Sequence, residues 1–160
     1  MPTPKTNAMR KLDQAKIAYQ THSYCVEDGQ LDGVSVAHKL SIDPARVFKT
    51  LLTHDPRRQV YVCIVPVARE LDLKKAARHF GVKSLHMLPV RDLLPVSGYV
   101  RGGCSPIGMK KLFPTVLDES AQAQPTILVS AGKIGQQIEL APADLCALCK
   151  AGTADLKEEG

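Results

Sequence analysis

One cation breaks the packing pattern of an otherwise apolar strand. In Val47-Phe48-Lys49-Thr50-Leu51-Leu52, period-two alternation places Lys49 on the same face as Val47 and Leu51. An ammonium group buried without an anion is costly, and burial lowers its pKa. Lys49 therefore either snorkels to water along its aliphatic stem or serves a site. Two glycine-rich segments could bring main chain against a ligand: Gly98-Tyr99-Val100-Arg101-Gly102-Gly103-Cys104-Ser105-Pro106-Ile107-Gly108 and Ser130-Ala131-Gly132-Lys133-Ile134-Gly135. Glycine permits positive φ and close approach, and consecutive amides can form a nest for a phosphate or carbonyl oxygen. Taken singly, each segment also reads as a structural turn. The second is not a Walker A loop, because Ile127 stands where that motif needs glycine and Ile134 where it needs serine or threonine.

Protein nucleophiles have no recognisable setting. There is no G-x-S-x-G elbow and no H-E-x-x-H, and His22, His38, His54, His79 and His86 are scattered without ligand spacing. Cys25, Cys63, Cys104, Cys146 and Cys149 are odd in number and are expected to be thiols rather than a disulfide framework. Cys146 and Cys149 form a C-x-x-C, but no second ligand pair accompanies them, and their spacing puts both sulfurs near one helix face as small hydrophobes. Cys63 reads as a strand core residue. No metal and no cofactor are implied, so an enzyme built on this chain would work without either a triad or a bound ion.

The elements that must hold these residues fit one domain. The chain has 160 residues, a formal net charge of +5, and 44% hydrophobic against 23% charged residues, which excludes disorder, fibrous repeats and a membrane bundle. The basic excess favours a polyanionic partner, while the absence of Trp disfavours binding by base stacking. With no export signal and no long apolar run, a cytoplasmic location is expected. Thr3-Pro4 reads as the cap and first position of a helix carrying Ala8, Leu12 and Ala15. Residues 19–24 read as a strand, 35–40 as a short helix, and Asp43-Pro44 as a capped turn. Residues 47–53 and 59–67 form an antiparallel hairpin in this reading. Asp72 caps a helix that stops at Gly81. Further strands are expected at 84–88, 115–117 and 126–130, with a last helix at 142–150. The tail 151–160 is expected to be frayed.

Taken together, Phe48-Lys49-Thr50-Leu51-Leu52, Pro66-Val67-Ala68, Leu71-Asp72-Leu73-Lys74-Lys75, Gly102-Gly103-Cys104-Ser105-Pro106-Ile107-Gly108, Pro114-Thr115-Val116-Leu117-Asp118 and Val129-Ser130-Ala131-Gly132-Lys133 resemble the YbaK/EbsC family, in order along the chain. The resemblance implies an α/β (α+β) fold, with a mixed, largely antiparallel, barrel-like sheet flanked by helices in a single domain spanning 1–160. It implies a trans-editing aminoacyl-tRNA deacylase that serves translation fidelity by hydrolysing Cys-tRNA(Pro) and, less selectively, Cys-tRNA(Cys). Lys49 matches the family's functional lysine. Tyr24 and Thr50 match pocket positions beside it, Gly102 and Gly103 the glycine pair, and Ser130 with Gly132 the second loop. The associated mechanism is substrate-assisted, the cysteine thiol attacking its own ester. Departures fall at Ala131, Ile134 and Gln137, where the family often has Gly, Arg and Asp; Cys104 is expected to be structural. The implied partners are aminoacyl-tRNA and prolyl-tRNA synthetase. Two other readings remain: an Ala-tRNA(Pro) deacylase of the same superfamily, and a noncatalytic module binding tRNA or a synthetase through Lys74, Lys75, Arg78, Lys110 and Lys111.

Overall fold

The hairpin around Lys49 is the spine of the molecule. In a computed structural model describing residues 4–159, strand β2 (Phe48–His54) runs antiparallel to β3 (Val60–Pro66), with Lys49 opposite Val65 and Thr50 opposite Ile64. Three more strands complete its sheet. These are β4 (His86–Met87) outside β2, and β5 (Thr115–Asp118) and β8 (Gly152–Ala154) beyond β3, in the order β4-β2-β3-β5-β8. β5 lies parallel to both β3 and β8. A second, antiparallel sheet has the order β1-β7-β6, formed by β1 (Gln20–Ser23), β7 (Gln136–Leu140) and β6 (Ile127–Ser130). A parallel bridge between Val47 and Leu128 brings this sheet against the start of β2. The mixed, mostly antiparallel α/β architecture matches the expectation, divided between two sheets.

Alternation along β3 explains why this strand reads as an unbroken apolar run. Val62 and Ile64 enter the main core with Leu12, Leu117 and Ile138, while Cys63 and Val65 enter a second cluster with Ala76, Val116 and Leu156. A strand covered on both faces needs apolar residues at every position. Helix α3 (Leu73–Phe80) supplies that second cover, and its ends follow the sequence reading. Asp72 accepts hydrogen bonds from the Lys74 and Lys75 amides, and Gly81 closes the helix at φ 71°.

Three expectations are corrected. The first helix, α1 (Asn7–Gln14), is capped by Thr6, whose hydroxyl accepts from the Met9 amide. Thr3 lies outside the described residues, and Ala15 is exposed at the helix end while Met9 is buried in its place. Helix α4 (Val90–Ser97) and strand β7 were not anticipated: prolines at 89 and 95 disguise the one, and Gln136-Gln137 disguises the other as loop. The tail does not fray. β8 pairs with β5, Leu71 bridges to Lys157, and Leu156 is fully buried. A three-residue strand carries no periodicity of its own, so only its tertiary partners reveal it. The remaining helices are α2 (Gly33–Lys39), which covers Val47 and Leu128 with Ala37, and α5 (Pro142–Cys149), which buries Leu145 and Cys149 in the main core.

Candidate functional site

β2 has an open edge. Leu52 carbonyl accepts from the Leu88 amide on the β4 side, whereas Val47 carbonyl accepts from Val67 on the β3 side. Backbone groups alternate in direction along a strand, so the amide and carbonyl of Thr50 face the same side as those of Leu52. β4 and Leu88 take up that edge from Leu52 to His54, and the bridge to Leu128 meets it at Val47. A cleft of about 960 Å³ runs along the remainder, lined by successive β2 residues from Phe48 to Leu52. Tyr24, Lys49, Thr50, Gly102 and Ser130 all border it; Gly103 and Gly132 do not.

The two absent glycines hold the walls in place. A Cβ on Gly103 would come within 3.0 Å of the Ile134 nitrogen, so the first glycine segment lies directly on the backbone of the second. Gly132, at φ 95°, would meet the Tyr99 ring at 2.7 Å. Tyr99 is itself buried, and its hydroxyl donates to the Ile107 carbonyl at 2.6 Å. One ring thus pins both segments. Gly102, at φ 86°, turns the chain so that its exposed backbone borders the cleft. Ser130 Oγ accepts from the Gly132 amide at 3.2 Å, which leaves its hydroxyl proton available to a ligand.

An aminoacyl-tRNA editing-domain model matches residues 32–148, which span the cleft strand, both glycine segments and the helix after β7. The chain belongs to that family. Its sequence is 47% identical over 152 residues to an Enterococcus faecalis protein (strain ATCC 700802 / V583) named "Putative Cys-tRNA(Pro)/Cys-tRNA(Cys) deacylase EbsC", covering 95% of this chain and 93% of that one. The fold superimposes on the crystal structure of a "putative trans-editing enzyme for prolyl tRNA synthetase" with a TM-score of 0.85 at 23% identity, covering 98% and 100% of the two chains. It also superimposes on hypothetical protein APE2540 with a TM-score of 0.87 at 17% identity, covering 96% and 100%.

Within this editing domain the cleft offers more unused polar capacity than the sequence suggested. The side chain of Lys49 is 29% exposed, and among the described residues the nearest carboxylate oxygen, on the well-exposed Glu70, is 3.9 Å away. Thr50 Oγ1 and Gln137 Oε1 are buried without a hydrogen-bond partner among the described residues, and both residues border the cleft. A buried polar atom left without a partner costs stability, a cost that a hydrogen bond from a ligand would offset. Sequence reasoning flagged Gln137 only as a departure; its signal is tertiary, the missing partner. Lys39 was also missed. Its ammonium donates to the Cys25 carbonyl at 2.7 Å, and to Asp28 and the Gln30 carbonyl, each at 2.8 Å. It lies 5.9 Å from the Tyr24 ring centroid, fastening the loop that carries Tyr24 to α2.

Cysteine chemistry is muted here. Burial pushes the Cys104 thiol up to about 11, so the sulfur that borders the cleft is protonated at neutral pH. Cys63 and Cys149 are pushed up to about 12 by the same cause. All five cysteines are free, and among the described residues no three His, Cys, Asp or Glu side chains gather as a metal site. Also among those residues, no helix is long and apolar enough to cross a membrane.

Proposed function

We propose that this editing domain is a trans-acting deacylase of Cys-tRNA(Pro), and less selectively of Cys-tRNA(Cys), in which Lys49 anchors the acceptor end. The observation that carries the reading is a half-buried ammonium in a largely apolar cleft along β2, with no carboxylate nearer than 3.9 Å among the described residues. The 47% identity to the Enterococcus faecalis protein named for this reaction supports the substrate class. A cation so placed suits the phosphate or ester oxygen of a terminal aminoacyl-adenosine. The unsatisfied oxygens of Thr50 and Gln137 suit its ammonium and hydroxyl protons.

Cleavage then needs placement more than a protein nucleophile. The substrate thiol attacks its own ester carbonyl; a carbon–sulfur bond forms, the carbon–oxygen bond to the ribose breaks, and the thiol proton ends on the ribose oxygen. The products are free tRNA and a cyclic thiolactone, which water opens to cysteine. Holding sulfur and carbonyl carbon about 3–3.5 Å apart supplies much of the rate. The turn at Gly102 and the hydroxyl of Ser130, both bordering the cleft, would serve as donors to the developing oxyanion. Serine esters lack the soft nucleophile and alanine esters lack any, so selectivity follows from the substrate itself. A prolyl-tRNA synthetase partner would supply tRNA identity, since phosphate contacts carry no base information.

Incubation with Cys-, Ser- and Ala-charged proline tRNA tests the proposal. Loss of the cysteinyl ester alone, with thiolactone trapped as an early product, is the expected result. Hydrolysis of the alanyl ester at a similar rate would replace this mechanism with water activation, and stable esters throughout would leave only a binding role.

A further inference from the structure

The segment that walls the cleft has a second side. Arg101, Gly102 and Cys104 border the cleft, whereas Pro106 to Phe113 border a separate groove of about 360 Å³ that shares no lining residue with it. Lys11 from α1, Lys110 and Lys111 rim this groove, and Ile107, Phe113 and Leu148 give it an apolar floor. None of the three lysines pairs with a carboxylate among the described residues.

Two of these cations are held in place. The stem of Lys110 packs over Gly98, where a Cβ would lie 3.3 Å from its Cγ, and its ammonium donates to the Pro95 carbonyl at 3.3 Å, keeping two protons free. Lys111 Nζ lies 5.9 Å from the Phe113 ring centroid. The contrast with α3 is instructive. Lys75 belongs to the basic surface read from the sequence, but it donates to Asp155, Glu159 and the Lys157 carbonyl, so that surface has lost one of its cations to the fold.

We propose that this groove is a second contact site for the RNA substrate, with Lys11, Lys110 and Lys111 seating backbone phosphates of the acceptor arm whose aminoacylated end lies in the cleft. The inference rests on the deacylase reading for its ligand. Its physical basis is charge complementarity: three ammonium groups without a carboxylate partner among the described residues surround an apolar floor, two of them, Lys110 and Lys111, on the stretch of chain that borders the cleft and the third, Lys11, on α1. Phosphates held there would fix how the acceptor arm leaves the cleft, contributing affinity without touching the reacting atoms.

The experiment compares wild type with the Lys110→Ala/Lys111→Ala double variant and with a Lys74→Ala/Arg78→Ala variant that removes equal charge from α3. Binding of uncharged tRNA is followed by fluorescence anisotropy across a salt series, and turnover is measured on cysteinyl-tRNA and on the cysteinyl ester of adenosine. Loss of two phosphate contacts lowers the slope of log affinity against log salt by about 2 and weakens binding about tenfold at moderate salt. KM for cysteinyl-tRNA is expected to rise with kcat unchanged, and turnover of the adenosine ester is expected to be unaltered. An unchanged salt slope overturns the proposal. So does an equal loss in the α3 variant, which would mean diffuse attraction, or an effect seen only when a synthetase is present, which would assign the groove to an acidic protein surface. Wild-type protein that binds tRNA with the expected salt slope yet cleaves no ester would refute the deacylase reading and leave the groove standing.

Discussion

The lysine of the cleft and the two lysines that hold the C-terminal tail, Lys157 within it and Lys75 from α3, have opposite surroundings. At the tail, Lys157 contacts Asp118 at 2.9 Å and Asp155 at 3.4 Å, and Lys75 donates to Asp155 at 2.8 Å and Glu159 at 2.9 Å. In the cleft, Lys49 has one distant, exposed carboxylate among the described residues. The tail cations are saturated and serve the fold; the cleft cation retains nearly all of its donor capacity for something else. Neither sequence type nor exposure makes that distinction, since the side chains of Lys75 and Lys157 are 19% and 18% exposed. What separates them is the number of acceptors within reach.

Four experiments probe the contrast. The largest effect is expected for Lys49→Ala, a loss of roughly 100-fold or more in deacylation at nearly unchanged melting temperature, as for removal of an electrostatic contact to the reacting group. Full activity in that variant would break the assignment. Asp118→Ala should do the reverse. It strips Lys157 and the Leu156 amide of a fully buried acceptor, and denaturant unfolding should show a loss of about 3 kcal/mol with little change in kcat for the folded fraction.

Acid should reproduce part of that loss. Burial pushes Asp118 up, but hydrogen bonds from Ser120, Leu156 and Lys157 outweigh it and hold the carboxyl below its ordinary 3.8; Asp155, held chiefly by Lys75, lies at about 2. Carboxyls lowered in the folded state contribute stability above the unfolded pKa and lose it as pH falls through the folded value. Melting temperature should therefore decline from about pH 4 towards pH 2, more shallowly in the Asp118→Ala variant. The smallest effect is expected for Lys39→Met, about 1 kcal/mol of stability as the loop carrying Tyr24 loosens, read as a KM increase of a few-fold with kcat preserved.

Legibility in the sequence followed the range of the interactions. The helix from Leu73 to Phe80 was readable to the residue because Asp72 and Gly81 act within one turn. The hairpin was readable because its two strands are consecutive and apolar. Lys49 stood out because a single residue broke alternation. β8 and Lys39 were invisible for the opposite reason: each depends on partners far along the chain or on backbone carbonyls that any sequence would offer. Gln137 belongs with them, because its significance lies in a hydrogen bond that the protein does not make.

Tyr99 gives the two turns a shared degree of freedom. Because one buried ring is lodged against Gly132 and tied through its hydroxyl to Ile107, neither turn can swing outward without dragging its neighbour. A guest that stills one therefore stills the other, and the entropy lost in ordering the pair is spent once rather than twice. Amide hydrogen exchange in residues 98–108 and 130–135 should consequently slow in concert when the cleft is filled.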